Sequence, residues 1–464
     1  MDGQARTSFV LLFIALCFAP IMYGGNKLWA WGFLETVVLL AFVIYILQQL
    51  VGFMGFPIVL KQNLIVVILV LLSIIFPLLQ LFPMPEVMME SFAPSNLNLI
   101  KSYSLVPEDR IYTVSLDKGL TYHSIHQQVL YAFGFLLTLI LVNSRKRIIL
   151  LLSSIMILGV VISFFSIARE IVNYLSPLST AKHFPPITGT FINKNHFAAF
   201  LNMSISANIA LILLVNQNSE YMGRGLVKIF NIALDWHKHL FLYLSILCIA
   251  LVLTESRGAI ASLTFAVAVV SLAVMLSTKA REWHSHNLKY LLIFGTVAIF
   301  AFGWGFLLSQ LDGDNGSWAM RKALWTMTAE MAKDYWVFGA GAGVYELVFP
   351  VYNAGITGQN VVYTHNDYLQ MLVEKGIFGL TLFILIILVA LKSAFTEIFH
   401  SQNPAKCAFS IGATVAILSM SVHGFVDFNF NIPSNALYFY IFLALAITSG
   451  ANSRIRTRAI HRHS

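Results

Sequence analysis

The stretch RKRIILLLSSIMILGVVISFFSIARE, Arg145–Glu170, decides the fold. Between Arg147 and Arg169 lie 21 residues without a charge. An α-helix of about 20 residues rises far enough to cross the hydrocarbon of a bilayer. The basic triplet Arg145–Lys146–Arg147 marks the end of the span that stays in the cytoplasm. Reading outward from charge to charge gives twelve such windows: 7–26, 36–60, 62–85, 119–144, 148–168, 195–219, 239–254, 258–278, 290–311, 376–391, 407–426 and 428–453. The windows 239–254 and 376–391 are short. They reach full length if Trp236 in one case and Tyr368–Lys375 in the other lie in the headgroup zone. The fold class is therefore all-α: a polytopic membrane protein with about twelve transmembrane helices.

Composition agrees. The chain is 58% apolar and 11% charged, with a mean hydropathy of +0.77, too little polar surface for a water-soluble domain. With the N-terminus inside, cytoplasmic segments hold 17 of the 29 basic residues, Lys61, Lys279, Arg281, Lys392 and Arg454 among them, beside five acids. Outside segments hold the other 12 beside 15 acids, and Glu35 sits within the second span. The basic pI of 9.3 is thus a topology signal and gives no case for nucleic acid. Both termini are expected in the cytoplasm. Cys17, Cys248 and Cys407 all fall in spans, which leaves no disulfide framework and no metal-ligand spacing. The first apolar stretch lacks a cleavage site and reads as helix one.

Long connections lie on the outer side. The loop 83–122, punctuated by Pro83, Pro85, Pro94 and Pro107, reads as an ordered but irregular cap, or a flexible one. Residues 170–175 read as a short interfacial helix before the Pro-rich run to Pro186. The largest loop, 310–365, has a helical core, since Leu324, Met327, Met331 and Tyr335 recur at helical spacing. That helix is expected to end near Phe338, where Gly339, Gly341 and Gly343 follow. These glycines neither follow a strand nor open a helix, so a nucleotide-binding loop is a weak reading.

A charge at the membrane edge is costly, and each one invites a functional question. Arg257, in Thr254-Glu255-Ser256-Arg257-Gly258, reads either as a Glu255–Arg257 pair ending two helices or as a clamp for an anion such as phosphate. Arg321, beside Lys322, opens the loop helix and reads as a solvated face or a second clamp. His365, in Thr364-His365-Asn366-Asp367, would share a helical face with Leu372 and Gly376, with Gly379 close by. The two glycines would then admit a neighbouring helix. A lone histidine at a helix start serves more often as a cap than as a base. Lys194, Asn195 and His196, with His423, Asp427 and Asn429, complete the set. All lie on the predicted outer side, which scattered structural charges have no reason to do.

These residues carry a resemblance to the O-antigen ligase/polymerase superfamily of bacterial envelope glycan assembly. His365-Asn366, nine residues, then Gly376-x-x-Gly379 is similar to a pattern of the ligases. Arg321-x-x-x-Trp325 leading to Trp336-Val337-Phe338-Gly339 resembles the start of the family's large periplasmic loop. Thr254–Arg257 resembles its arginine turn, and Gly189-Thr190-Phe191 through Ala198 its Gly-Thr-Phe segment. Trp325 stands where the ligases have Leu, and Lys194 where Pro is frequent, so the branch stays open. The likeness covers residues 185–450.

The resemblance implies a GT-C-like glycosyltransferase of the bacterial inner membrane, with a periplasmic site and no metal or other cofactor. It implies a glycan donor on undecaprenyl diphosphate. The acceptor would be a sugar hydroxyl, on lipid A–core for a ligase or on another lipid-linked glycan for a polymerase. Arg257 and Arg321, with Lys194 third, would offset the diphosphate charge, and His365 would take the acceptor proton. Asn195, Asn366, His423 and Asp427 would support them. The domains read as 1–184, with the loop 83–122; 185–453, the ligase-like region with the loop 310–365; and 454–464, a basic cytoplasmic tail. The competing reading is a glycolipid flippase or secondary transporter, which needs polar groups at the bilayer midplane. Here mid-span positions are nearly all apolar.

Overall fold

The computed structural model describes residues 5–52, 57–103, 105, 110–176, 184–215, 236–283, 315–353 and 361–460. Its elements are almost entirely helical, starting with α1 (Arg6–Phe18), α2 (Leu28–Val51), α3 (Ile58–Gln62) and α4 (Leu64–Leu79). Next come β1 (Met84–Pro85), α5 (Glu86–Phe92), α6 (Pro94–Ser102) and β2 (Ile111–Tyr112). Long helices follow: α7 (Lys118–Leu141), α8 (Arg145–Leu175), α9 (Lys194–Val215), α10 (Trp236–Leu253) and α11 (Arg257–Leu276). Beyond these lie α12 (Asn315–Tyr335), α13 (Tyr345–Val348), α14 (Asp367–His400), α15 (Pro404–His423) and α16 (Pro433–Ile460).

Among the described residues seven helices are long and apolar enough to cross a membrane, and four shorter apolar ones accompany them. The sequence window 290–311 lies outside the described residues. The helices of both short windows run on through those flanks, α10 from Trp236 and α14, interrupted at Gly376, from Asp367. The basic tail 454–464 is, as far as Ile460, the end of α16.

The decisive stretch forms one helix, capped by the Ser144 side chain on the Arg147 amide. It does not stop at Ala168, and residues 170–175 are its last turns, not a separate interfacial helix. No Gly or Pro interrupts it there, and Arg169 binds Glu170 at 2.7 Å, so the two charges neutralise each other within the helix. The second window likewise begins early, at Leu28. Buried Glu35 travels inside α2 because His126 Nδ1 on α7 meets its carboxylate at 2.7 Å.

α9, α15 and the first half of α16 form the core, buried along nearly their whole length. The polar side chains there tie helices together: Asn202 donates to Ala259 O on α11 at 2.9 Å, and Asn208 to Leu240 O on α10 at 3.2 Å. Mid-span positions are thus less uniformly apolar than the sequence suggests. At the periphery the pattern inverts, with Leu40, Val43, Leu47 and Leu50 of α2 and Ile65, Ile68 and Ile75 of α4 exposed. Lipid satisfies such a surface, and water does not.

Of the two readings of the cap, the described residues fit the ordered one. β1 and β2 pair antiparallel, and α5 and α6 enclose a small core of Met89, Ala93, Leu97, Tyr112 and Val114. α12 turns the expected stripe of Leu324, Met327, Met331 and Tyr335 into a second core. It ends at Tyr335, and the glycine loop then docks into a break in α14. Gly376 there has φ +61° and ψ −171°, which no helix tolerates. The break frees the carbonyls of Val373 and Glu374. The amides of Ala340 and Gly341 take them at 2.8 and 3.1 Å, and the Ile377 amide donates to Trp336 O at 2.7 Å. Gln80 locks the joint with bonds to Phe338 O, Glu374 O and the Ala342 amide. The Gly341 amide is therefore spent on the helix break, and the Gly339 amide on Tyr335 O at 2.9 Å.

Candidate active site

One end of the bundle gathers the turns that matter. Ile187 N bonds Leu253 O at 3.0 Å, Asn435 bonds His196 O at 3.0 Å, and Asp367 N bonds Gly424 O at 2.8 Å. These contacts bring together the starts of α9, α11, α14 and α16 with the end of α15.

His365 sits just before α14. The cap is Asn366, whose Oδ1 accepts the Leu369 amide at 3.0 Å. His365 itself has φ +55°, a left-handed conformation that costs a non-glycine residue on the order of 1–2 kcal/mol. The corner is held from both sides. Trp325 Nε1 donates to the His365 carbonyl at 3.2 Å, and Thr364 lies 3.0 Å from the Thr328 hydroxyl. The shared helical face expected for His365, Leu372 and Gly376 is not formed, because His365 precedes the helix and Gly376 breaks it. A Cβ on Gly376 would lie 2.0 Å from Val337 O, so this glycine admits a loop and not a helix.

The centre of the cluster is Asp427, 1% exposed, in the turn between α15 and α16. Its Oδ1 accepts the Phe428 amide at 2.9 Å and faces His365 Nδ1 at 3.4 Å and His196 Nε2 at 3.9 Å. Its Oδ2 faces Arg321 Nη2 at 3.9 Å. Burial alone would push the Asp427 carboxyl up. The His365 imidazole facing it at 3.4 Å, with the neighbouring imidazoles of His196 and His423, instead holds it well below the usual carboxylate range. The Phe428 ring separates the imidazoles, its centroid 4.8 Å from that of His365, 4.6 Å from His196 and 4.2 Å from Tyr363. Asp367 fixes the turn by accepting the Phe430 amide at 3.2 Å and Asn431 Nδ2 at 3.0 Å.

The remaining sequence candidates fall around this centre. A Cβ on Gly258 would lie 3.2 Å from the His423 ring, so the first turn of α11 abuts the Asp427 turn, and Arg257 stands exposed one residue away. Glu255, at φ +53°, pairs with Lys194 across to α9 at 3.4 Å. Asn195 lies half-buried in the first turn of α9, its amide bonded to Asn193 Oδ1 at 2.8 Å. Arg321, His365 and Asp427 thus converge, with His423 against the neighbouring helix start and Lys194 and Arg257 at the rim.

Arg321 Nε, His423 Nδ1, His196 Nε2 and both amide atoms of Asn429 find no hydrogen-bond partner among the described residues. Such atoms are uncommon in a folded interior and gather here around one carboxylate. Among the described residues no group of three or more His, Cys, Asp or Glu side chains is placed to hold a metal ion. Phe428, Asp367 and the Trp325–His365 bond escape sequence reasoning. Asp427 does leave a sign, since it is the only acid after Glu397.

Residues 242–384 match the family model of O-antigen ligase. The match takes in the Thr254–Arg257 corner, Arg321 and the His365–Gly379 segment, and it supports the resemblance to the O-antigen ligase/polymerase superfamily. No curated protein matches the chain.

Proposed function

We propose, with the O-antigen ligase match as premise, that this multi-span protein is a glycosyltransferase. It would move a glycan from undecaprenyl diphosphate to a sugar hydroxyl at the periplasmic face. The observation that carries the reading is the convergence of Arg321 and His365 on one buried carboxylate, Asp427. In this mechanism the acceptor oxygen attacks the anomeric carbon and its proton passes to His365. The glycosyl–oxygen bond breaks, and its electron pair leaves on the diphosphate. His365 turns Nδ1 toward Asp427, which leaves Nε2 for the acceptor and steadies the imidazolium that forms, as the carboxylate of a catalytic triad does. Arg321 and Arg257 offset the charge growing on the diphosphate, with Lys194, shared with Glu255, a weaker third.

The acceptor decides the branch: lipid A–core for a ligase, a second lipid-linked glycan for a polymerase. Arg257→Ala and His365→Ala are each expected to abolish transfer while the protein stays in the membrane. Near-normal product from both variants overturns the site. Deleting the gene and separating surface glycans on a gel assigns the branch. A core stripped of all glycan indicates a ligase, and a core bearing one repeat unit indicates a polymerase.

A further inference from the structure

One face of α12 carries Trp318, Arg321 and Trp325 at helical spacing of three and four. Arg321 belongs to the cluster through Asp427. Trp325 is pinned to the same place, since its Nε1 donates to the His365 carbonyl while its ring stays partly open. Trp318 meets Trp325 edge to face, with ring centroids 5.5 Å apart at 84°, and it is 55% exposed. Two indoles in edge-to-face contact therefore lie on the helix face that carries Arg321, and Trp325 joins them to the histidine.

Indole is the largest rigid apolar surface a protein can offer, and a pyranose ring presents a flat face of C–H groups that packs on it. We infer that Trp318 and Trp325 form a saccharide subsite holding the acceptor glycan, so that the hydroxyl to be glycosylated meets His365. This inference rests on the transferase reading and names where the acceptor lies. The acceptor is favoured over the donor because Trp325 is bonded to the residue that receives the acceptor's proton. The donor's diphosphate is met by the cations Arg321, Arg257 and Lys194, and the indoles beside Arg321 are left for the acceptor's sugar.

The test uses the full chain in detergent, with Trp318→Ala, Trp318→Phe and wild type compared. Trp318 is exposed, so its truncation leaves the packed core untouched, and the Phe variant keeps an aromatic face as a control. Transfer assays should show the apparent KM for acceptor raised about tenfold in Trp318→Ala. The KM for donor and the rate at saturating acceptor should change little, and Trp318→Phe should recover most of the loss. Binding is read separately by tryptophan fluorescence with two soluble probes: core oligosaccharide freed of lipid A, and glycan freed of its polyprenyl diphosphate. Quenching by one probe, lost in Trp318→Ala, supports the subsite and names the acceptor's source. An unchanged acceptor KM and quenching in Trp318→Ala overturns the subsite. If brominated lipid quenches Trp318 instead, the residue is a membrane-interface anchor and the inference fails. Absence of any transfer by wild type counts against the transferase reading itself, and sugar binding is then judged by the fluorescence arm alone.

Discussion

At the scale of single residues the cluster turns on Asp427. A carboxylate 1% exposed is stable only while cationic or hydrogen-bonding partners face it, and here His365, His196 and Arg321 supply them from three separate elements. Asp427→Asn keeps the shape and removes the charge. Transfer should fall by about 10²–10⁴-fold, the range seen when the partner of a catalytic imidazole is neutralised. The protein should still reach the membrane. The sign of the pH effect follows from the depressed carboxyl. Asp427 stabilises the fold above the unfolded aspartate value of about 4, and that contribution is lost as pH falls toward its folded value. Thermal melts of wild type in detergent should therefore fall from pH 5 down to pH 3. A flat profile would remove the carboxylate from the account.

At the scale of elements the broken helix α14 and the glycine loop form one joint, and its tolerance can be forecast. A Cβ on Gly376 would meet Val337 O at 2.0 Å and one on Gly339 would meet Glu374 O at 2.2 Å, both backbone atoms, and both glycines have positive φ. Gly376→Ala should destabilise the protein by about 3 kcal/mol or more. Gly379→Ala should also destabilise, because its Cβ would lie 2.4 Å from Lys375 Cβ, an atom that no rotamer change moves, but by less, since no backbone atom is struck and its φ is ordinary. A Gly376→Ala variant that melts with wild type would contradict this account of the joint. The pair also marks how far the sequence could be read. Spacing alone puts Gly376 and Gly379 on a helix face for close packing, yet only a backbone 39 residues away, at Val337, reveals that Gly376 opens the helix. Arg257, Arg321 and His365 are legible because few charged or titratable side chains occur in so apolar a chain. The central place of Asp427 is not legible, because its partners come from residues 196, 321 and 365, and no local period connects them. The cap's small core is missed for a similar reason, since four prolines mask short helices that pack on one another and on the distant Phe338.

At the scale of the whole molecule, structure and charge supply different halves of the topology. The structure gathers the cluster, the cap and the glycine joint at one end of the bundle, but nothing in the packing says which side of a membrane that end faces. The distribution of Lys and Arg supplies the direction: Arg145–Lys146–Arg147, Lys279, Arg281, Lys392 and Lys406 lie at the opposite end, which the positive-inside bias assigns to the cytoplasm. On the proposed reading the lipid-linked glycan is then met at the outer face. Exposed threonines at the two ends test this, after Cys17, Cys248 and Cys407 are replaced by serine. Thr326→Cys, on α12, should react with a membrane-impermeant maleimide once the outer membrane is opened. Thr396→Cys, near the far end of α14, should react only after the inner membrane is breached. The reverse pattern would turn the bundle over and place Arg321 and His365 on the side where a periplasmic acceptor never arrives.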